Sequence, residues 1–428
     1  MNSSGTVAPS WGQRILGLEG LRAVAATAVL VYHVGHVYTP KVEVEYGELF
    51  RLLDQGLTLF FVLSGFLLFW PFASRLIEGR EHPSIRSYAF NRALRIWPAY
   101  LVILAIAAFV LRVALRPDGT LGTLSWRGFL LNATLLQNYS IEWQRSGLEV
   151  AWTLTVELTF YALLPIMVVA VEKLFPRLRR AYAAFLPVAF MLLLGGVGRA
   201  VVIILNRRVF LDASEWGKTG FSLTARSLFA QADMFGVGMA AALVFIAFRK
   251  GVFSPRQAPL VRGGLVVGGI LAIVFFQYGV QADFLTIASA VGFGCILLLV
   301  VLPGADGGHS LWARVLDWRP IRWVGVVSFS LYLWHLVLIR FFIQHGITFG
   351  GGRLGFFVST VVVLALALAL SAATYYGVEK QALRLKRRNR PLPADVPALA
   401  GRRESWRPTA AAAAAPAAAR SDGASSRD

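Results

Sequence analysis

The feature that most constrains this chain is a series of ten apolar stretches, each near the roughly 20 residues that carry a helix across a bilayer. They fall near 21–38, 56–74, 96–115, 151–172, 183–205, 226–247, 262–281, 284–302, 323–344 and 354–376. A soluble core has no place for so many long apolar runs. Composition agrees: 57% hydrophobic and 15% charged residues, against about 45–50% and about 25% in soluble domains. The mean hydropathy is +0.61. The expected fold class is all-α, a polytopic integral membrane protein with about ten transmembrane helices. The first stretch is too long for a signal-peptide core and reads as a retained span. The single cysteine, Cys295, lies inside an apolar run, so neither a disulfide framework nor a cysteine metal site is expected.

A net charge of +19 could suggest a nucleic-acid partner, but the distribution of that charge argues otherwise. With the N-terminus inside, and residues at span ends counted with the side they border, segments on the inner side hold 29 Lys and Arg and outer segments hold 11, leaving Arg199 and Arg340 inside spans. That is the positive-inside bias, and it predicts that both termini are cytoplasmic. The basicity then serves topology and attraction to anionic membrane lipid. No nucleic acid is expected.

Three regions are expected: a cytoplasmic N-terminal segment (1–18), a membrane domain (19–380) and a basic, Ala/Pro-rich, disordered cytoplasmic tail (381–428). The longest outer loop, about 116–150, contains WRGFLLNATLLQNY, apolar but too short to span. It is expected to lie in the interface or to re-enter.

Titratable groups within spans are costly and point to function by default. LEGLRAVAATAVLVYHVGH (18–36) places Arg22 and His33 on one helical face, about 16 Å apart along the axis. His33, Glu157, Asp233 and His335 all fall in the outer half of their spans, while Arg22, Arg92 and Arg95 sit at inner ends. Each has a plain alternative. Arg22 and Arg95 suit snorkelling anchors. Arg92 and Arg95, three apart, suit a phosphate-bearing ligand or ordinary headgroups. Asp233 suits an ion pair with Arg199 or Arg226, and His335 a hydrogen-bonded packing role. His33 and Glu157 are harder to dismiss at their depth, and as a pair they suit general acid–base work.

At these residues the chain resembles the acyltransferase-3 family of polytopic bacterial membrane O-acyltransferases. The resemblance runs over about 15–380. It rests on Arg22 and His33 with ten residues between, GLTLFFVLSGFLL (56–68), FNRALRIWPAY with Arg92 and Arg95, AWTLTVELTFYALLP with Glu157, and SFSLYLWHLVL followed by YYGVEK. Any one piece recurs among membrane proteins; five in order are specific. Glu19 stands where the family usually has Asp. The resemblance implies transfer of an acyl group, acetyl foremost, from cytoplasmic acyl-coenzyme A to a hydroxyl of a cell-envelope glycan, lipid or secondary metabolite, in the cytoplasmic membrane of a bacterium. It implies His33 as the essential catalytic residue, as base or acyl carrier. Arg22, Arg92 and Arg95 would hold the donor's anionic end, and Glu157 would orient or polarise the acceptor. Many relatives add an outer esterase-like domain; without one here, a second transfer step is expected to need a separate protein. No metal is implied.

Two rivals stand beside this reading. Ten spans with buried His, Glu and Asp also suit a proton-coupled transporter or flippase of a glycan or lipid. Duplicated halves and paired broken helices, the marks of such folds, are not evident in the sequence. A non-catalytic assembly protein would leave the deep titratable layer without a reason.

Overall fold

The computed structural model describes residues 14–208, 217–254, 256–278, 282–304 and 308–388. Its principal helices are α1 (Leu18–His33), α2 (Gly56–Glu78), α3 (Ile85–Ala105), α4 (Trp126–Ala133), α5 (Trp152–Leu174), α6 (Phe185–Arg208), α7 (Leu228–Arg249), α8 (Gln257–Tyr278), α9 (Ala282–Val301), α10 (Arg319–Gln344), α11 (Arg353–Thr374) and α12 (Lys380–Arg388). Among the described residues nine helical segments are long and apolar enough to cross a membrane. They coincide with nine of the ten expected spans. The remaining one is α9, whose described apolar part is the shorter Thr286–Val301.

The chain divides into one unit over 1–387 and a second over 388–428. The chain remains helical past 380, through α12. The rest of the tail expected to be disordered, and residues 1–13 of the N-terminal segment, lie outside the described residues.

Several helices are apolar on every side, as expected of elements that meet lipid on one face and protein on the other. On α8, Leu260 is 75% exposed while Ala272 and Phe276 turn inward. The interior is built by α1, α2, α7 and α10: α7 packs on α2, α6 and α9, and α1 on α10 and α2. Small residues set how close these helices come. A Cβ at Gly238 would strike the Val62 carbonyl of α2, and one at Gly325 would strike the Glu19 carbonyl of α1. The second approach brings α10 against the face of α1 that carries Arg22 and His33.

Among the described residues three helices run on into π-helical turns: Val34–Tyr38 after α1, Ile106–Val110 after α3, and Tyr375–Glu379 after α11. Such turns are uncommon and gather at functional sites. The first begins one residue past His33.

The loop before α5 is ordered. Strands β1 (Ala114–Leu115) and β2 (Leu121–Gly122) pair antiparallel, and Leu115 bridges to Gly147. The apolar stretch within the loop forms α4, whose N-terminus is capped by the Ser125 hydroxyl accepting from Gly128 N–H. Its last carbonyls accept from Tyr100 (at Asn132, 2.7 Å) and Trp97 (at Ala133, 3.0 Å), which fastens the loop to α3. Trp126 of α4 is 69% exposed.

Candidate active site

Arg22 and His33 share α1 but line two different cavities. The first, about 270 Å³, is lined by Arg22, Arg92, Arg95, Glu157, Ser64 and Tyr161 among others. All three arginines expected to act together do converge there. Arg22 donates from Nε to Ser328 Oγ (3.3 Å). Arg95 reaches Glu379 Oε2 at 3.4 Å, and Glu379 also accepts from Ser330 Oγ (2.5 Å). The Arg92 guanidinium lies over the rings of Tyr88 (5.8 Å) and Tyr161 (5.7 Å), a cation–π arrangement. Neither Arg22 nor Arg92 makes an ion pair among the described residues, and Arg92 Nε is buried without a partner. Cations desolvated and left unpaired are expensive. A cavity lined by them suits an anion.

Glu157 belongs to this arginine cavity. Its Oε1 accepts from Ser64 Oγ (2.7 Å) and from Tyr161 O–H (2.5 Å). The expected pairing of Glu157 with His33 is therefore corrected: the two occupy similar heights on their helices but line separate cavities. Helix rotation, set by packing, turns Glu157 toward the arginines.

The second cavity, about 600 Å³, is lined by His33, Tyr32, His36, Glu149, Arg145 and Arg340 among others. His33 Nδ1 lies 2.8 Å from the Val29 carbonyl, which can only accept. Nδ1 therefore carries the proton, and Nε2 keeps its lone pair. The ring is held edge-on by Tyr32 (5.2 Å between centroids) and by His335 (5.0 Å). The same cavity is lined by Glu149, whose oxygens each take a guanidinium at 2.5 Å, one from Arg145 and one from Arg340.

The two cavities share a wall. Leu57 on α2 and Tyr332 on α10 border both of them. Tyr332 is fixed in place by its hydroxyl, which lies 3.1 Å from the Val150 carbonyl and 3.0 Å from Thr153 Oγ1. A ligand anchored in the arginine cavity would reach His33 by passing these two side chains.

Asp233 borders neither cavity. It is bound by Arg199 at 2.5 and 3.0 Å, tying α6 to α7, which is the plain alternative read from sequence. His335 is fully buried beside His33 and likewise borders neither cavity. Sequence reasoning did not single out Glu149, Arg145, Ser64, Tyr332 or Glu379. The signals available were Arg340, a cation within a span, and the four-residue spacing of Arg145 and Glu149.

Residues 15–376 match the acyltransferase domain of the acyltransferase-3 family. Among curated proteins, the chain is 24% identical over 380 residues to the O-acetyltransferase OatA of Staphylococcus aureus, covering 85% of this chain and 56% of that one. It is 21% identical over 334 residues to the peptidoglycan O-acetyltransferase OatA of Listeria monocytogenes, covering 75% and 49%. It is 23% identical over 348 residues to the putative peptidoglycan O-acetyltransferase YrhL of Bacillus subtilis, covering 76% and 48%. The chain thus spans about half the length of these relatives. No solved structure matches it. The membrane helices, the order of the motifs and the extent of the domain match agree, and the chain belongs to the acyltransferase-3 family of membrane acyltransferases.

Proposed function

We propose that this protein transfers an acyl group, acetyl foremost, from acyl-coenzyme A to a hydroxyl of a cell-envelope glycan at the cytoplasmic membrane of a bacterium. One observation carries the reading: a single helix presents Arg22 to one cavity and His33 to another, and Leu57 and Tyr332 are common to the walls of both. Coenzyme A has phosphates at one end and a thioester at the end of a thin arm. The arginine cavity suits the anionic end. At about 270 Å³ it falls just below the roughly 300–1,000 Å³ of pockets that enclose a whole small ligand, so it holds only part of such a donor. The arm extends past Leu57 and Tyr332 toward His33.

The glycan enters the wider cavity beside the 116–150 loop, which has hydroxyl-binding and aromatic groups in Glu149, Tyr32 and Trp152. His33 Nε2 takes the proton from the acceptor hydroxyl as its oxygen forms a bond to the thioester carbonyl carbon. The carbon–sulfur bond then breaks, and the leaving thiolate receives that proton from the His33 imidazolium. Val29 holds Nδ1, so Nε2 is the atom available for this exchange. The relatives' printed names, O-acetyltransferase and peptidoglycan O-acetyltransferase, support acetyl as the group and a wall glycan as the acceptor.

The test uses purified protein in nanodiscs with acetyl-coenzyme A and peptidoglycan fragments, and mass spectrometry of the products. Wild type should acetylate the fragments. His33→Ala should remain folded and bind donor, with transfer lowered at least the roughly 10²–10⁴-fold typical of a lost general base. A folded His33→Ala protein that transfers at the wild-type rate ends this mechanism. A wild type that transfers nothing but moves glycan or lipid across liposomes would put the transporter reading ahead.

A further inference from the structure

His335 stands where α1 meets α10, and nothing in the transfer described above uses it. Its side chain is fully buried and borders neither cavity, so it touches neither donor nor acceptor. Nδ1 lies 3.3 Å from the Leu331 carbonyl, which again can only accept, so Nδ1 carries the proton and Nε2 a lone pair. Nε2 is enclosed and has no hydrogen-bond partner among the described residues. A buried acceptor without a donor is destabilising, and a native structure that keeps one calls for a reason.

The aromatic rings packed on His335 are those of Tyr332 (5.7 Å between centroids) and His33 (5.0 Å). The Tyr332 hydroxyl is already engaged by Val150 and Thr153. His33 is the ring whose state changes during the reaction, and that change supplies the reason.

We propose that His335 is a positioning residue for His33, holding its ring edge-on and stabilising, through its unpartnered lone pair, the positive charge that His33 acquires when it takes the acceptor's proton. In the resting enzyme the neighbouring ring, 5.0 Å away between centroids, is neutral, and the lone pair gains little. Once His33 becomes an imidazolium, a fixed neutral imidazole with its electron-rich atom unengaged is favourable. The interaction is therefore stronger in the transition state than before it, which is the condition for lowering the barrier. No bond is made or broken at His335, and its own proton stays on Nδ1. This inference rests on His33 acting as the base.

Two variants separate the lone pair from packing. His335→Phe keeps a planar ring and loses the acceptor; His335→Gln keeps an acceptor oxygen. In the Phe variant kcat should fall about 10- to 100-fold, the scale of a disturbed catalytic geometry. Donor and acceptor KM should stay at wild-type values, and Gln should recover part of the loss. A packing role would instead lower thermal stability or shift both KM values.

A second measurement does not depend on transfer. Diethyl pyrocarbonate modifies neutral histidine, and attack by His33 Nε2 builds the same positive charge on the ring. Carbethoxylation of His33, followed by mass spectrometry, should slow in His335→Phe by a similar factor and less in His335→Gln. Should the Phe variant not fold, His335→Leu carries the same comparison. A folded Phe or Leu variant with wild-type kcat and wild-type carbethoxylation overturns the proposal. Slowed carbethoxylation in a protein with no transferase activity would support the coupling of the two histidines and reject the acyl-transfer reading instead.

Discussion

Glu157 lines the same cavity as Arg22, and not the cavity that His33 lines. On the proposed function, its carboxylate therefore bears on the donor's anionic end. Glu157→Gln should fold normally, because the amide oxygen can still accept from Ser64 and Tyr161. Removing a negative charge beside bound phosphates should lower the donor KM by roughly 2- to 10-fold, the size of one partly screened Coulomb term. Acceptor KM should not move. Steady-state kinetics with each substrate varied in turn decides the matter, and a change confined to acceptor KM would return Glu157 to the histidine side.

Arg92 and Arg95 should behave differently although they sit three residues apart. Arg92 has no ion-pair partner among the described residues, so Arg92→Gln removes a charge without stranding another. Its thermal stability should match wild type. Its donor KM should rise about 10- to 100-fold, as expected for a lost charge-assisted hydrogen bond. Arg95→Gln deprives the buried carboxylate of Glu379 of its cation, and a stability loss of about 3 kcal/mol is expected. Thermal unfolding in detergent, measured beside donor kinetics, separates the two outcomes.

The Arg340–Glu149 pair joins residues 191 positions apart and fastens the loop before α5 to α10. Arg340→Gln leaves Glu149 with Arg145 alone, and should cost about 1–3 kcal/mol. Protease cleavage within 116–150 should become faster. Combining it with Glu149→Gln should restore part of the loss, giving a coupling of about 0.5–3 kcal/mol in a double-mutant cycle. Additive effects would mean that the pair contributes nothing beyond its separate side chains.

Topology is tested by reporter fusions after Gly119 and at the C-terminus. The 29 to 11 distribution of basic residues predicts opposite sides, with the loop external and the C-terminus cytoplasmic. Reporters found on one side would reject that arrangement.

Much of this fold was legible because a span needs only length and apolarity, and both are local properties of sequence. The Arg199–Asp233 bridge was legible for a similar reason: a buried charge in a span needs a counter-charge, and few candidates exist. Glu157 is recognisable in sequence as a titratable group well inside a span, but its neighbours are not. Depth follows from counting 1.5 Å per residue, whereas the direction a side chain faces depends on how its helix is rotated against others. Glu149 lies at the edge of a span and draws its importance from Arg340, which no local pattern reveals. The π-helical turn after His33 left no signal in apolar periodicity.

Leu57 and Tyr332 also have an electrical consequence. Where water fills both cavities, little low-dielectric material is left between them. A membrane voltage falls where the dielectric is low, so much of it would drop across these two side chains rather than across the whole bilayer. Each elementary charge crossing that layer then exchanges about 2.3 kcal/mol with every 100 mV of membrane potential. The wall between the cavities would thus also insulate the membrane at this spot. On the proposed function, its side chains would answer to ion leakage as well as to the passage of an acyl arm.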